Sequence, residues 1–510
     1  MTSFAAARAK ERPDEIAVQD PVKQFSWAEV DEILNRVVNG LLQLDLGPDH
    51  RIAVFAENAA ETALANIGGL LAGVSVVPVN FHLTSEEVAY ILQDSGARLL
   101  FVDNITAERG VTAAKEAGID KVIAWGGASE PGVISWQSWL DANSADNPPS
   151  TMTPRPNLLY TSGTTGRPKG TPLPPTMFAG GETIDEHLQL MEDVAARAGA
   201  TDGTQLVVGP LYHTGPLSAA RSLARGIPLV ILGRFDAEKT LQAIETYKID
   251  GTLMVPTHFV RLLALPEEVR HKYDLSSIQR IAHTGAKCPV DVKRAMIEWL
   301  GPVLFEAYGA SEVGTTNQIT SEEWLEHPGS VGKTNEPFEP LILDDDDNPL
   351  PPNQEGRLFF KDTTGRGVVY HNDPEKTAAA HIAPGVFTLG EIGYVDEDGY
   401  VYITDRFSDM VVSGGVNIYP AESEQVIIDH PAVKDVACIG VPNAEMGEEL
   451  KALIIPNNPD ALPDGNEIVS WCRDRLSHYK CPRTVEFVED LGRNSMGKVN
   501  KRKLRAPYWE

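Results

Sequence analysis

Residues 160–170 read Tyr-Thr-Ser-Gly-Thr-Thr-Gly-Arg-Pro-Lys-Gly and concentrate groups that could bind a polyphosphate. Three glycines (Gly163, Gly166, Gly170) let the backbone approach a ligand closely, four hydroxyls (Thr161, Ser162, Thr164, Thr165) can donate, and Lys169 supplies a cation. A plain polar turn is the competing reading, and the density of glycine and hydroxyl ending in lysine argues against it. The segment follows the apolar pair Leu158-Leu159, so it is expected to leave a sheet edge. It is not the loop of ordinary P-loop nucleotidases, because GxxxxGK[ST] does not occur in the chain. Elsewhere Glu312 is a carboxylate that could face such a loop, and Tyr308 is an aromatic that could stack on a base or fill a core. Lys498 lies in Asn494-Ser495-Met496-Gly497-Lys498, between the apolar Thr484–Phe487 region and a basic tail. A lone lysine so placed is ordinarily a solvated charge.

From that loop onward the sequence resembles the adenylate-forming superfamily, which includes acyl-CoA synthetases, peptide-synthetase adenylation domains and beetle luciferases. The resemblance runs in order through Pro210-Leu211-Tyr212-His213, Glu306-Ala307-Tyr308-Gly309-Ala310-Ser311-Glu312, Leu389-Gly390-Glu391, Asp405-Arg406, Ser413-Gly414-Gly415-Val416-Asn417-Ile418-Tyr419-Pro420 and Gly497-Lys498. Singly most of these are weak; in this order, across nearly the whole chain, they are decisive. The resemblance implies that ATP is held by Thr161, Ser162, Gly163, Thr164, Thr165, Gly166 and Lys169, and by Gly285, Ala286, Glu306, Ala307, Tyr308, Gly309, Ser311, Glu391 and Arg406. It makes Glu312 the protein side of a Mg²⁺ bridge to the triphosphate. It also makes Lys498 a catalytic lysine on a mobile terminal domain, stabilising the charge that grows as acyl-AMP forms. Ser413, Gly414 and Gly415 become the strand along which the pantetheine arm of coenzyme A reaches that adenylate, with Ser408 at the hinge. His213 resembles the gate beside the acyl pocket, and a buried structural histidine is an equal reading. Lys287 and His258 fall in segments that line the same pocket in relatives.

Several positions depart from the family's habit, among them Leu491-Gly492-Arg493 where Leu-Pro-Arg is common. Leu389-Gly390-Glu391 stands where Thr-Gly-Asp is usual, so the ribose carboxylate carries an extra methylene and a hydroxyl is lost. Ser311 replaces the usual threonine and keeps the hydroxyl. Ser408 occupies a hinge position usually held by Asp or Lys. Lys287 stands where a small or apolar residue is common.

The elements that must position these groups follow from periodicity. Over residues 25–260 helical patterns alternate with short β-branched runs, as in WAEVDEILNRVVNGLLQL then RIAVFAE, and TLQAIETYKID then GTLMVPT. Repeated helix-then-buried-strand predicts an α/β fold with parallel sheets covered by helices, in two layered subdomains. Near residue 330 a Gly/Pro-rich stretch of short alternating strands predicts a small β-barrel-like subdomain. Its Asp344–Asp347 run lacks the alternating ligands of a calcium loop and reads as a solvated hairpin tip. The last hundred residues predict a smaller α+β domain. The expected division is 1–405 for nucleotide and acid and 406–510 for the mobile part.

Composition narrows the partners. The chain has 510 residues, 42% hydrophobic and 23% charged, with 44 Lys plus Arg against 72 Asp plus Glu, a net charge of −28. That field disfavours nucleic acid and anionic membranes. Four scattered cysteines give no CxxC pair, so neither a disulfide framework nor structural zinc is expected. The start has no secretory pattern and the apolar stretch near residues 67–79 is broken by glycine and proline. A cytoplasmic protein without a transmembrane segment is expected, acting on a small-molecule acid with ATP, Mg²⁺ and coenzyme A, with a homodimer left open. An acid–CoA ligase is the leading reading. Competing ones are an adenylating enzyme with another acceptor or activated group (carrier protein, amine, or an oxyanion such as nitrite), a luciferase-like oxygenase, and a nucleotide-binding module without catalysis.

Overall fold

The computed structural model describes residues 4–509, except 129, 162–167, 198–199, 201, 407–408, 460–461 and 493–498, with backbone alone at 405–406. Its first lobe is built on a five-stranded parallel sheet, neighbours in the order Ser75–Pro78, Arg51–Phe55, Leu100–Val102, Val122–Ala124 and Val133–Ser135. Parallel strands need crossover connections, and helices Ala60–Leu71, Ser85–Ser95 and Ala107–Ala117 supply those as far as Val122–Ala124. Helix Ala60–Leu71 is buried at every residue, and its one charge, Glu61, is paired with Lys23. Helices Trp27–Leu42 and Ser85–Ser95 both begin in capping boxes, Ser26 with Glu29 and Thr84 with Glu87. Such boxes satisfy N–H groups that would otherwise be unpaired, each cap contributing about 1 kcal/mol.

A fourteen-stranded sheet forms the rest of the large domain. Ile16–Gln19, Leu229–Ile231, Gln205–Val207, Gly251–Met254, Arg280–His283 and Leu304–Ala310 lie side by side and parallel. Gly314–Thr320 then turns antiparallel on Leu304–Ala310, and the strands between 330 and 406 continue antiparallel outward from it. The Gly/Pro-rich region is thus hydrogen-bonded onto the parallel core, while keeping a small core of its own around Phe338, Phe360, Phe387 and Val401. The Asp344–Asp347 run sits exposed in the turn between Phe338–Leu343 and Gly356–Asp362.

A separate five-stranded sheet follows, with Val411–Ser413, Val433–Asn443, Gly447–Pro456 and Thr484–Phe487 among its strands. Helices Pro420–Ile427 and Gly465–Arg473 pack on it around Ile427, Cys438, Ile454 and Cys472. This is the smaller C-terminal α+β domain. All four cysteines are free and buried. Among the described residues no helix is long and apolar enough to cross a membrane.

Candidate active site

The segment expected to hold polyphosphate is flanked by a two-stranded hairpin, Leu158–Thr161 against Lys169–Pro172, with Thr161 directly opposite Lys169. Sequence alone had placed it at a sheet edge, and the sheet in question is this small hairpin. Pro156, Pro172 and Pro174 flank the short strands and remove the donors that would extend the ladder. The hairpin is pinned instead by its neighbours: His371 N donates to Gly170 O at 2.7 Å and Thr171 Oγ1 to Val369 O at 3.1 Å. Ser162, Gly163, Thr164, Thr165 and Gly166 lie outside the described residues, as do Ser408, Lys498 and the Arg406 side chain.

Glu312 occupies the turn between Leu304–Ala310 and Gly314–Thr320, and accepts from Thr161 Oγ1 at 3.1 Å. Burial raises its carboxyl above the usual range, against the lowering effect of its own backbone N–H, the Thr161 hydroxyl and Lys169. Lys169 Nζ lies 4.7 Å from the centre of the Tyr370 ring, and burial, with Lys376 nearby, lowers its pKa. Beside them Thr214 and Ser311 hydroxyls are 3.2 Å apart. One carboxylate with a hydroxyl beside a cation is a hard-oxygen donor set that fits Mg²⁺ shared with a triphosphate, since Mg²⁺ binds through one or two carboxylates plus substrate phosphates. Among the described residues no cluster of three or more metal-ligating side chains exists, so an all-protein cage is not built there.

Another side of the site is organised by two carboxylates. Glu391, only 6% exposed, accepts from the Tyr308 hydroxyl at 2.8 Å, which fixes the ring as a plate on the cavity wall. Its strand partner in register is Arg406. Glu306 is held by Lys293 Nζ at 2.5 Å, with His283 Nε2 at 3.6 Å from the same oxygen. Lys293, fully buried, was not anticipated. The signal was present: on helix Val290–Leu300 it shares a face with Met296 and Ile297, an odd place for a charge without a partner. Removing one member of such a pair costs roughly 3–5 kcal/mol because the other charge stays buried.

Thr161, Lys169, Glu306, Tyr308, Glu312 and Glu391 line a single cavity of about 920 Å³ together with His213, Gly285, Ala286 and Lys287. Burial pushes the His213 imidazole down to about 4, so it is neutral at neutral pH, and its Nε2 has no hydrogen-bond partner among the described residues. His258 is stacked on Phe235 at 4.0 Å between ring centres and is likewise pushed down to about 3 by burial. Lys287 Nζ donates to Ile403 O at 3.1 Å, tying its loop to the strand that ends at Arg406.

The C-terminal domain closes the cavity. Gly414 and Gly415 both have positive φ, +60° and +82°, and both line it. A Cβ on Gly415 would meet Val255 at 2.8 Å, and one on Gly414 would meet Met446 at 2.3 Å. Only glycine fits either position. Gly285 faces the same contact, its Cβ position 3.8 Å from Gly415 O.

Family models for the AMP-binding enzymes and for the C-terminal domain of AMP-binding enzymes match residues 5–368 and 422–498. The chain belongs to the AMP-binding enzymes. It is thus an AMP-forming ligase that uses ATP. A feruloyl-CoA synthase of Amycolatopsis sp is 30% identical to this AMP-binding enzyme over 99% of this chain and 98% of its own. The solved amide bond synthetase McbA of Marinactinospora thermotolerans superposes with a TM-score of 0.84 at 25% identity, covering 99% of this chain and 100% of its own. The o-succinylbenzoate-CoA synthetase MenE of Bacillus subtilis, 26% identical, was solved in several states. A double mutant bound to the product analogue OSB-NCoA gives a TM-score of 0.79, covering 99% of this chain and 98% of its own. The acyl-adenylate complex gives 0.64 and the AMP complex 0.63.

Proposed function

We propose that this chain is an ATP-dependent acid–CoA ligase. The carboxylate oxygen of a fatty, branched or aryl acid attacks the α-phosphorus of ATP and expels pyrophosphate. The thiol sulfur of coenzyme A then attacks the acyl carbon, AMP leaves, and the thiol proton passes to solvent. No base is needed for the first step, since the carboxylate attacks already ionised. Lys169 and the Thr161 hydroxyl face the triphosphate, Tyr308 on its Glu391 anchor supports the base, and Lys498 neutralises charge on the α-phosphate. Arg406 joins Glu391 at the ribose. Glu312, with Thr161 beside it, would hold Mg²⁺, which supplies charge neutralisation on the phosphate oxygens.

The observation that carries the coenzyme A half is a second cavity of about 440 Å³ that shares Gly414, Val416 and Tyr479 with the first. Arg473, His478 and Arg483 line it. Two arginines gathered in one concavity of a chain with net charge −28 suit a phosphorylated acceptor whose arm passes the glycine strand. The better superposition on MenE with OSB-NCoA than on its adenylate complexes supports an arrangement poised for transfer. We place the hinge at Ser408, with residues 406–510 rotating as one part.

A second reading has its own support in the likeness to McbA: the acyl-AMP could pass to an amine. One experiment separates the two. Pyrophosphate release is measured over a panel of carboxylic acids, with coenzyme A, with simple amines, and with neither. Thioester formation coupled to release is expected. Turnover that is unchanged by coenzyme A and yields amide overturns the first reading in favour of the second.

A further inference from the structure

One buried ionic cluster joins the two domains away from the reacting groups. Glu87 stands at the third position of helix Ser85–Ser95, where one oxygen accepts from Thr84 N at 2.8 Å. From the C-terminal domain, the Ser477 hydroxyl donates to that same oxygen at 2.7 Å, and Lys480 Nζ donates to the other at 2.5 Å. Lys480 also pairs with Glu422, at the start of helix Pro420–Ile427, at 2.5 Å. The side chains are 14%, 3% and 3% exposed for Glu87, Lys480 and Glu422, so water does not substitute for these contacts. A further ion pair between the domains, Arg261 with Glu445, is 40% and 56% exposed and worth little. Glu422 already balances Lys480 within its own domain, and when Glu87 arrives the one ammonium is shared between two carboxylates, one from each domain.

A buried ion pair is a poor source of stability, because desolvation offsets its attraction, but it selects one register sharply. What this register selects is visible one residue away. Tyr479 lines both cavities, its ring 5.8 Å from Lys480 Nζ and 6.3 Å from His82 on the large domain. Docking Lys480 therefore sets Tyr479 beside Gly414 at the junction through which an acceptor passes.

We propose that Glu87 and Lys480 form a pin that selects the thiol-transfer arrangement of the two domains, acting as positioning residues for the second half-reaction and not for adenylation. The inference rests on the domain rotation of the proposed function. Burial opposes ionisation of both groups, yet mutual attraction outweighs it: Glu87 is held below the usual carboxylate range and Lys480 above the usual lysine value. The pin is charged at neutral pH.

Glu87→Gln keeps an acceptor for the helix cap, since glutamine serves that position, and removes only the charge. Acid-dependent ATP–pyrophosphate exchange should stay within about twofold while thioester formation from supplied acyl-AMP falls on the order of tenfold, the factor that about 1.4 kcal/mol of lost coupling would produce. Lys480→Met, which also takes away Glu422's partner, should show at least that split, and adding Glu87→Gln to it should slow transfer no further, because the contact between the domains is already lost. Glu422→Gln, altering a contact inside one domain, should lower thermal stability without splitting the half-reactions. Parallel loss in both half-reactions, or in neither, overturns the pin. A second readout does not need coenzyme A: spin labels on Lys121→Cys and Asp474→Cys, both exposed, report the distance between the domains in ligand-free protein. Glu87→Gln should broaden or shift that distribution, and an unchanged one overturns the pin even if the natural acceptor is not a thiol. Wild-type enzyme that makes no thioester, with a distribution that does shift, defeats the acceptor assignment alone.

Discussion

Glu391 shows how one methylene can be absorbed by a neighbour. The longer side chain in Leu389-Gly390-Glu391 reaches the Tyr308 hydroxyl at 2.8 Å, so a group expected to serve the ribose also braces the ring. If that brace matters, Tyr308→Phe should raise KM for ATP roughly tenfold in the exchange assay, the scale of about 1.4 kcal/mol for a hydrogen bond to a charged group. Little change in KM would show that packing alone holds the ring. The histidines make a different statement. His213 and His258 are pushed by burial down to about 4 and about 3, from an ordinary 6.5. Below pH 6.5 the unfolded chain takes up protons that the folded chain refuses, so folding stability should be flat above pH 6.5 and fall from there toward pH 4. Urea midpoints at pH 7.5 and 5.5 should show the drop, and His258→Gln should make it smaller; an equal drop in that variant would locate the cause elsewhere.

At the scale of elements, the strand Val411–Ser413 and its glycine turn are the part that meets both domains. Gly415 has φ of +82° and packs within Cβ distance of Val255, so any side chain there must displace the large domain's wall. Gly415→Leu should leave ATP–pyrophosphate exchange largely intact and abolish thioester formation; survival of the thioester would mean that the acceptor enters by another route. The hairpin that carries the polyphosphate loop is held by contacts to Val369 and His371, from the antiparallel end of the large sheet, and not by a sheet of its own. The loop's position therefore depends on residues two hundred positions away.

For the whole molecule, the proposed function uses two arrangements of two domains. The proposed cycle would place Lys498 at the α-phosphate for adenylation and Gly414 and Gly415 beside the incoming acceptor for transfer. Lys498→Ala should lower acid-dependent exchange by several orders of magnitude while acyl transfer from supplied acyl-AMP persists, which single-turnover assays with purified adenylate would reveal. Comparable loss in both assays would place Lys498 in one shared arrangement and remove the need for rotation. The Glu87–Lys480 pin supplies a reason for one arrangement to be preferred in the ligand-free chain, since a buried charge completed by its partner tolerates few alternative registers.

Much of this was legible in the residues themselves. Helix and strand runs such as Trp27–Leu42 and Arg51–Phe55 announce themselves because burial on a helix or a two-faced sheet imposes a local period. The order of the short motifs sufficed to name the family, and glycines at 414 and 415 are required by backbone conformation, which is a local property. Lys293 under Glu306, Tyr308 on Glu391, and Lys480 between Glu87 and Glu422 were not legible. Their partners lie from 13 to 393 positions apart, and a charge or hydroxyl carries no mark of which distant group will satisfy it. What the sequence determined by itself was the kind of chemistry and the elements that hold it. Which buried charge answers which, and hence which arrangement of the domains is favoured, was decided only by the tertiary structure, because desolvation makes a charge's partner, not its neighbours in sequence, set its cost.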